Sequence, residues 1–275
     1  MNNSKNNLQT SQTSKSIKKW DFKDLPKYPV IFIVAKRGEG KTVMIKDIIY
    51  NTRERYDDVY LFSRTANINL EDPFPFIKNN EHRYDDYDDK ILRDLYNEQK
   101  RKLMMYKKKE IDRVDHILLI FDDVIMNKEI KKKNSMLEEL CVNGRHVFMT
   151  VVITAQVFSS GMLPSIRKNA DIFISFNIMD SGTRELVTEY YLSLLGKKLG
   201  QQLLIDVVSE KAYQALISKT YIKGIKKYED FVFKYTAKLE IPDFTIPQEK
   251  PKNINADLDN GFYDVKLIDD DDFFM

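Results

Sequence analysis

A single cysteine, Cys141, leaves no partner for an intramolecular disulfide anywhere in 275 residues. That excludes a cystine-stapled scaffold and fits a reducing compartment. Cys141 sits in the helical apolar pattern Leu137-Glu138-Glu139-Leu140-Cys141-Val142, which favours a buried thiol over a nucleophile. The three histidines, His82, His116 and His146, lack the short ligand spacings of a zinc site. No apolar run is long enough to span a membrane, and the stretch from Asn2 to Lys19 is polar, rich in Ser, Asn and Lys, without a leader-like apolar segment. The expectation is a soluble, intracellular chain. Net charge is also scarce: 44 basic against 42 acidic residues leave +2. Bulk charge therefore names no partner. Its distribution says more, because basic runs lie in the front and middle and Asp269-Asp270-Asp271-Asp272 closes the chain.

What is present is apolar content for a real core: 43% hydrophobic residues, including 16 Phe. Continuous β-branched and aromatic runs predict buried strands at Val30–Val34, Asp58–Ser63, His116–Asp122, Val147–Thr154 and Asp171–Phe176. Helical patterns separate them at Thr42–Thr52, Asp88–Ile111, Ser135–Asn143 and Pro164–Lys168, and continue from Ser181 to about Val208. Tyr213–Ser218 and Phe231–Tyr235 read as two further strands, an antiparallel addition. Strands alternating with helices predict an α/β fold, a mostly parallel sheet flanked by helices. The expected organisation is a disordered basic arm at 1–20, a domain at 21–240 and an acidic-ended tail at 241–275. Residues 67–113 form a charged helical insertion. Its Ile91, Leu92, Leu95, Leu103 and Met104 are expected to make one apolar stripe.

Three strand ends carry chemistry. After the first comes Ala35-Lys36-Arg37-Gly38-Glu39-Gly40-Lys41-Thr42, and a helix opens there. A triphosphate needs inward backbone N–H groups, a helix N-terminus and a cation. Gly38 and Gly40 let the backbone wrap closely, Lys41 reaches phosphate, Thr42 offers a hydroxyl to Mg²⁺, and Val43 continues the cradle. The pattern G-x-x-x-x-G-K-[ST] begins with glycine, and Ala35 stands there instead. After the third strand comes Asp122-Asp123. Asp122 is placed to hold Mg²⁺ and Asp123 to orient or deprotonate water, the alternative being that Asp123 merely caps the next segment. After the fourth come Thr154 and Gln156, where phosphate sensing competes with a turn role. ATP and Mg²⁺ are the expected ligands.

In order, this P-loop, the Asp122-Asp123 pair, Asn143-Gly144-Arg145-His146 before a strand, and Ile153-Thr154-Ala155-Gln156 at its end resemble the FtsK/HerA-like ATPases. With Leu163-Pro164-Ser165-Ile166-Arg167-Lys168-Asn169-Ala170-Asp171, the chain is similar to the genome-packaging ATPases of large double-stranded DNA viruses and virophages. The resemblance covers about residues 28–236 and departs at Ala35 and at Asp123, where many relatives have Glu. It implies an ASCE, RecA/FtsK-like sheet in which the Asp122 strand is separated from the P-loop strand by the Gln156 strand. It implies a ring homo-oligomer, a pentamer or hexamer, that drives double-stranded DNA into a capsid through a portal or vertex component. The setting is the host cytoplasm or virus factory, or the virion. It also implies an arginine supplied by the neighbouring subunit, Arg145 first and Arg167 second, each of which could instead form a structural ion pair.

Phosphate contact without sequence readout needs only Lys and Arg near the track. Lys100–Lys109, Lys128–Lys133 and Lys15, Lys18 and Lys19 qualify, as does the bland alternative of solvated charged faces. A P-loop kinase for a nucleoside or small metabolite is a rival, though no compact Arg-rich lid stands out. A helicase-like ATPase is another, without a full motif set. A module that binds ATP without hydrolysing it sits poorly with intact Lys41, Thr42, Asp122 and Asp123.

Overall fold

Five buried residues in a row form β1 (Val30–Val34). Val30, Phe32 and Val34 enter one apolar cluster, and Ile31 and Ile33 enter another on the opposite side. Only a central strand covered on both faces can bury every side chain in this way. The structure is a computed structural model. It describes residues 17–246, apart from Asn67, Asn69, Met126, Lys133, 159–163, Ile222, Lys223, Ile225 and Lys226.

From β1 the chain runs through α1 (Lys41–Thr52), β2 (Asp58–Ser63), β3 (Arg83–Tyr84), α2 (Asp89–Lys107), β4 (Ile117–Asp122), α3 (Met136–Asn143) and β5 (Met149–Ala155). It continues through α4 (Pro164–Lys168), β6 (Ile172–Ser175), α5 (Ser181–Tyr191), α6 (Lys197–Ser209), β7 (Gln214–Lys219) and β8 (Val232–Thr236). One eight-stranded sheet results, in the order β3-β2-β4-β5-β1-β6-β7-β8. Strands β1 to β6 pair in parallel, and β7 and β8 add antiparallel. The expected α/β class is borne out, as are the β5 strand between β4 and β1 and the antiparallel addition.

Met44, Ile45, Ile48 and Ile49 of α1 cover one face of the sheet. Leu92 of α2, Leu137 and Leu140 of α3, Val187 of α5 and Leu203 of α6 cover the other. Phe32, Phe121 and Phe173 are fully buried between these layers, each contributing about 2–3 kcal/mol of transfer free energy. Cys141 is buried in α3, where burial pushes its thiol up and away from reactivity.

Several local expectations shift. Helix α2 stops at Lys107 because Lys109 turns left-handed, with φ 62°. Its Met104 is 57% exposed and leaves the apolar stripe. Gln99 occupies the buried face instead, its amide donating to the carbonyls of Asp115 and Val147 at 2.8 and 3.0 Å. Strand β5 begins at Met149 because Gly144–Val147 forms a 3-10 turn and Phe148 is left-handed at φ 63°. The packed chain also crosses both expected boundaries. Ile17 and Trp20 are buried, and Lys19 bridges to Lys234. At the other end Phe244 stacks on Phe76 with centroids 4.8 Å apart, and buried Ile246 bridges to Ile77. The rest of the arm with Lys15, the tail from residue 247, Lys133 and Leu163 lie outside the described residues. Among the described residues no helix is long and apolar enough to cross a membrane.

Candidate functional site

Parallel strands bring their carboxyl ends to one edge, so Val34, Ser63, Asp122 and Ala155 finish side by side. Ala35 leaves β1 there, buried, with its N–H donating to the Ala155 carbonyl at 3.1 Å. Gly38 and Gly40 take left-handed backbone, φ 84° and 96°, where a side chain is strained. Ala35 does not, which explains why a methyl group is tolerated at the first position of the motif. Lys36 and Arg37 are exposed, and Glu39 closes a turn onto the Lys36 carbonyl.

Helices α2, α3 and α5 begin with Asp88, Ser135 and Asp180, whose side chains accept from first-turn N–H groups. Helix α1 begins at Gly40 with no side-chain cap and no acid in its first turn. Its leading N–H groups, from Lys41, Thr42 and Val43 onward, keep their donors and the positive end of the helix dipole for an anion.

The two acids play distinct parts. Asp122 is 5% exposed and accepts from Thr154 Oγ1 at 2.7 Å and from Ser63 Oγ at 3.3 Å. Burial pushes its carboxyl above the usual range and the neighbouring Asp123 adds to this, while the Thr154 bond and Lys41 oppose it. Asp123 turns outward on left-handed backbone, φ 56°, held by its N–H on Thr154 Oγ1 at 3.1 Å. That conformation costs a non-glycine residue about 1 kcal/mol or more. It aims the carboxylate at Lys41, whose Nζ lies 2.6 and 2.8 Å from its two oxygens. Gln156 Nε2 donates to the same carboxylate at 2.9 Å. Lys41, Asp122, Asp123 and Gln156 therefore converge, with Thr154 as the post that holds both acids. Ser63 is a site residue that sequence reasoning missed. A polar residue closing an apolar strand beside the Asp122 strand was the available signal.

The donor set fits a hard divalent cation. Asp122, Ser63 and the Thr42 hydroxyl offer only oxygen, and Mg²⁺ takes one or two carboxylates plus substrate phosphates rather than an all-protein cage. Among the described residues no group of three or more His, Cys, Asp or Glu forms such a cage. A raised acid also sets a stability sign. Its contribution is full below the ordinary Asp value and is lost as pH rises through the raised one, so the buried Asp122 carboxyl weakens the fold at neutral pH relative to low pH. Asp122→Asn, able to keep both hydroxyl contacts, should raise the melting temperature at pH 7 by about 2–4 °C, for roughly 1 kcal/mol. The gain should shrink toward low pH in a calorimetric series.

The arginines fall elsewhere. Arg145 is exposed in the turn before β5, at the far end of that strand. Seven residues of strand separate it from the carboxyl edge that carries Lys41 and Asp123, about 20 Å. There it counters the upward push that burial gives Asp171, whose carboxylate also accepts from Val30 N–H at 2.8 Å. Arg167 is only 4% exposed, with its guanidinium 4.6 Å from the Tyr190 ring centroid and 5.8 Å from that of Phe158. Among the described residues it has no carboxylate partner. It is a core cation on aromatic faces, which counts against both the finger and the ion-pair expectation. The lysine runs separate too. Lys128, Lys131 and Lys132 are exposed just after Asp123, with Lys132 paired to Glu129 at 3.1 Å. Lys100–Lys109 ends near Asp115, at the opposite edge, where Lys102 pairs with that residue at 2.8 Å.

Residues 17–227 match the profile of the family described as Poxvirus A32 protein. The uncharacterized protein L437 of Acanthamoeba polyphaga mimivirus is 28% identical over 176 residues, 59% of this chain and 57% of its own length. The genome packaging NTPase B204 of Sulfolobus turreted icosahedral virus 2 superposes with a TM-score of 0.53 at 16% identity, over 78% of this chain and all of B204. The pCW3 conjugation coupling protein TcpA gives 0.55 at 14% identity, over 80% of this chain and 69% of its own. At such identities these likenesses speak to the fold, which is that of the P-loop ATPases.

Proposed function

Because the chain belongs to the Poxvirus A32 protein family, we propose that it is an ATPase that drives double-stranded DNA into a viral capsid, hydrolysing ATP where two subunits meet. The observation that carries this reading is the Lys41–Asp123–Gln156 contact at the mouth of an uncapped helix. B204 has been solved with AMP and with ATP-γ-S, and a nucleotide of that kind suits the cradle from Ala35 to Val43. Mg²⁺, held by Thr42 and Asp122, would neutralise charge between the outer phosphates. The terminal phosphates draw the Lys41 ammonium off Asp123, which frees that carboxylate to face water. Gln156 keeps it oriented. Water attacks the γ-phosphorus, its proton passes to Asp123, and the bond to ADP breaks. Arg145 of a neighbouring subunit supplies the remaining positive charge, so a ring of copies completes each site. The ring would work in the host cytoplasm or virus factory and dock on a capsid portal or vertex component.

Water as acceptor, rather than a small metabolite, is favoured by the paired acids. The DNA track is assigned to Lys128, Lys131 and Lys132, which are exposed just after Asp123, where hydrolysis would move their segment. Turnover should rise several-fold on adding long duplex DNA, with a ring-sized mass in native mass spectrometry. Reversing the charge of Lys128, Lys131 and Lys132 should remove most of that stimulation and spare basal turnover. Stimulation by a nucleoside acceptor and not by DNA would turn the reading to a kinase.

A further inference from the structure

Tyr213 is a large aromatic residue left 45% exposed. Its backbone is left-handed, φ 59°, a conformation an aromatic residue adopts only where its surroundings hold it. Gln214 does the holding. Its side chain is buried and donates to the Val207 carbonyl at 2.6 Å and to Glu210 Oε2 at 3.0 Å, and its N–H closes onto the Lys211 carbonyl. The start of β7 is thereby pinned to the end of α6. Because β7 runs antiparallel to β6, with Leu216 opposite Ser175, its first residues lie at the carboxyl edge of the parallel strands. The strand reversal carries Tyr213 to the phosphate loop. A Cβ built on Gly40 would lie 3.3 Å from Tyr213 Cδ1 and 3.7 Å from Phe176 Cε1.

The two flanks of the loop differ in chemistry. On the β5 and β4 side stand Gln156, Asp123 and Asp122, the groups for the terminal phosphate. On the β6 and β7 side stand Phe176, fully buried, and Tyr213, half-exposed. A nucleotide whose terminal phosphate meets Lys41 and Asp123 extends its nucleoside toward the second flank. We infer that Tyr213 is a nucleobase-binding residue, its ring a platform on which the purine of the bound nucleotide stacks. The inference rests on Ala35 to Val43 holding the phosphates. A stacking platform offers a π-face and little hydrogen-bond readout, so it recognises purines as a class and discriminates weakly between them.

The test compares ATP with inorganic tripolyphosphate, which has the phosphates and no base, by isothermal titration calorimetry on the full chain with Mg²⁺ present. Tyr213→Ala should weaken ATP binding by about tenfold, the scale of one lost base stack. It should leave tripolyphosphate within about twofold, and Tyr213→Phe should keep ATP affinity near wild type, since the ring survives. GTP should follow ATP closely. Equal weakening of ATP and tripolyphosphate by Tyr213→Ala would overturn the inference, because the side chain would then only buttress Gly40. No weakening of either would overturn it as well. A wild-type chain that binds neither ligand would overturn the phosphate cradle itself and this inference with it.

Discussion

Asp123→Asn should lower ATP turnover by about a thousandfold, within the range that a positioned general base contributes, while ATP affinity stays close to wild type or improves. The direction of the affinity change follows from the pair. Lys41 Nζ is held by both oxygens of Asp123, and an amide holds an ammonium less tightly than a carboxylate does, so the lysine meets phosphate with less competition. The fold should tolerate the change. Asparagine accepts left-handed backbone better than most residues, and the N–H bond to Thr154 is independent of the side chain. Asp123→Ala separates the two roles: it loses the base and also suits φ 56° poorly, which should cost about 1 kcal/mol and about 2–4 °C in melting temperature. Single-turnover hydrolysis and equilibrium binding on the same preparations check both halves. Equal single-turnover rates for wild type and Asp123→Asn would remove Asp123 from the chemistry and return it to the capping role.

The sheet was legible because burial on both faces leaves a mark that survives without context. Runs such as Val30–Val34 and Ile117–Phe121 are apolar throughout, and only a covered parallel strand uses them. The loop from Ala35 to Thr42 was legible as a loop for a similar reason, since Gly38 and Gly40 satisfy a backbone demand that few other residues meet. What escaped depends on register. The resemblance sets β5 beside β4, but nothing in the sequence says that Thr154 lies beside Asp122, because that requires the phase of the pairing. Ser63 shows in the sequence only as a polar residue closing an apolar strand, its contact with Asp122 hidden by register, and Tyr213 is hidden because its importance comes from the reversal of β7. Domain edges escaped because single apolar residues in polar stretches, Trp20 and Ile246, carry no periodicity even when the fold buries them. Arg145 was picked out by resemblance, and its place before a strand already set it at the amino edge, away from the loop after β1, where the 3-10 turn before β5 holds it.

That separation makes Arg145→Ala the sharper experiment on assembly. If the arginine serves the neighbour's site, its loss should cut turnover by about three orders of magnitude or more, the scale of a missing arginine finger, while each subunit still binds ATP normally. A local defect would look similar in that assay alone. Arg145 also balances Asp171 beneath β1 and β6, so a melting curve on the variant is needed, with a change of no more than about 2 °C expected for an exposed side chain. Mixing distinguishes the two explanations. Asp123→Asn subunits keep Arg145 but have a dead site; Arg145→Ala subunits keep a competent site but offer no arginine. In a ring built from repeated head-to-tail interfaces, an equal mixture places the two together productively at about one quarter of interfaces. Two preparations that are each nearly inactive should therefore recover up to about a quarter of wild-type turnover when assembled together, if interfaces fire independently. Recovery is impossible when the arginine and the base must belong to one chain, so mixtures that stay as inactive as their components would place the finger elsewhere than Arg145.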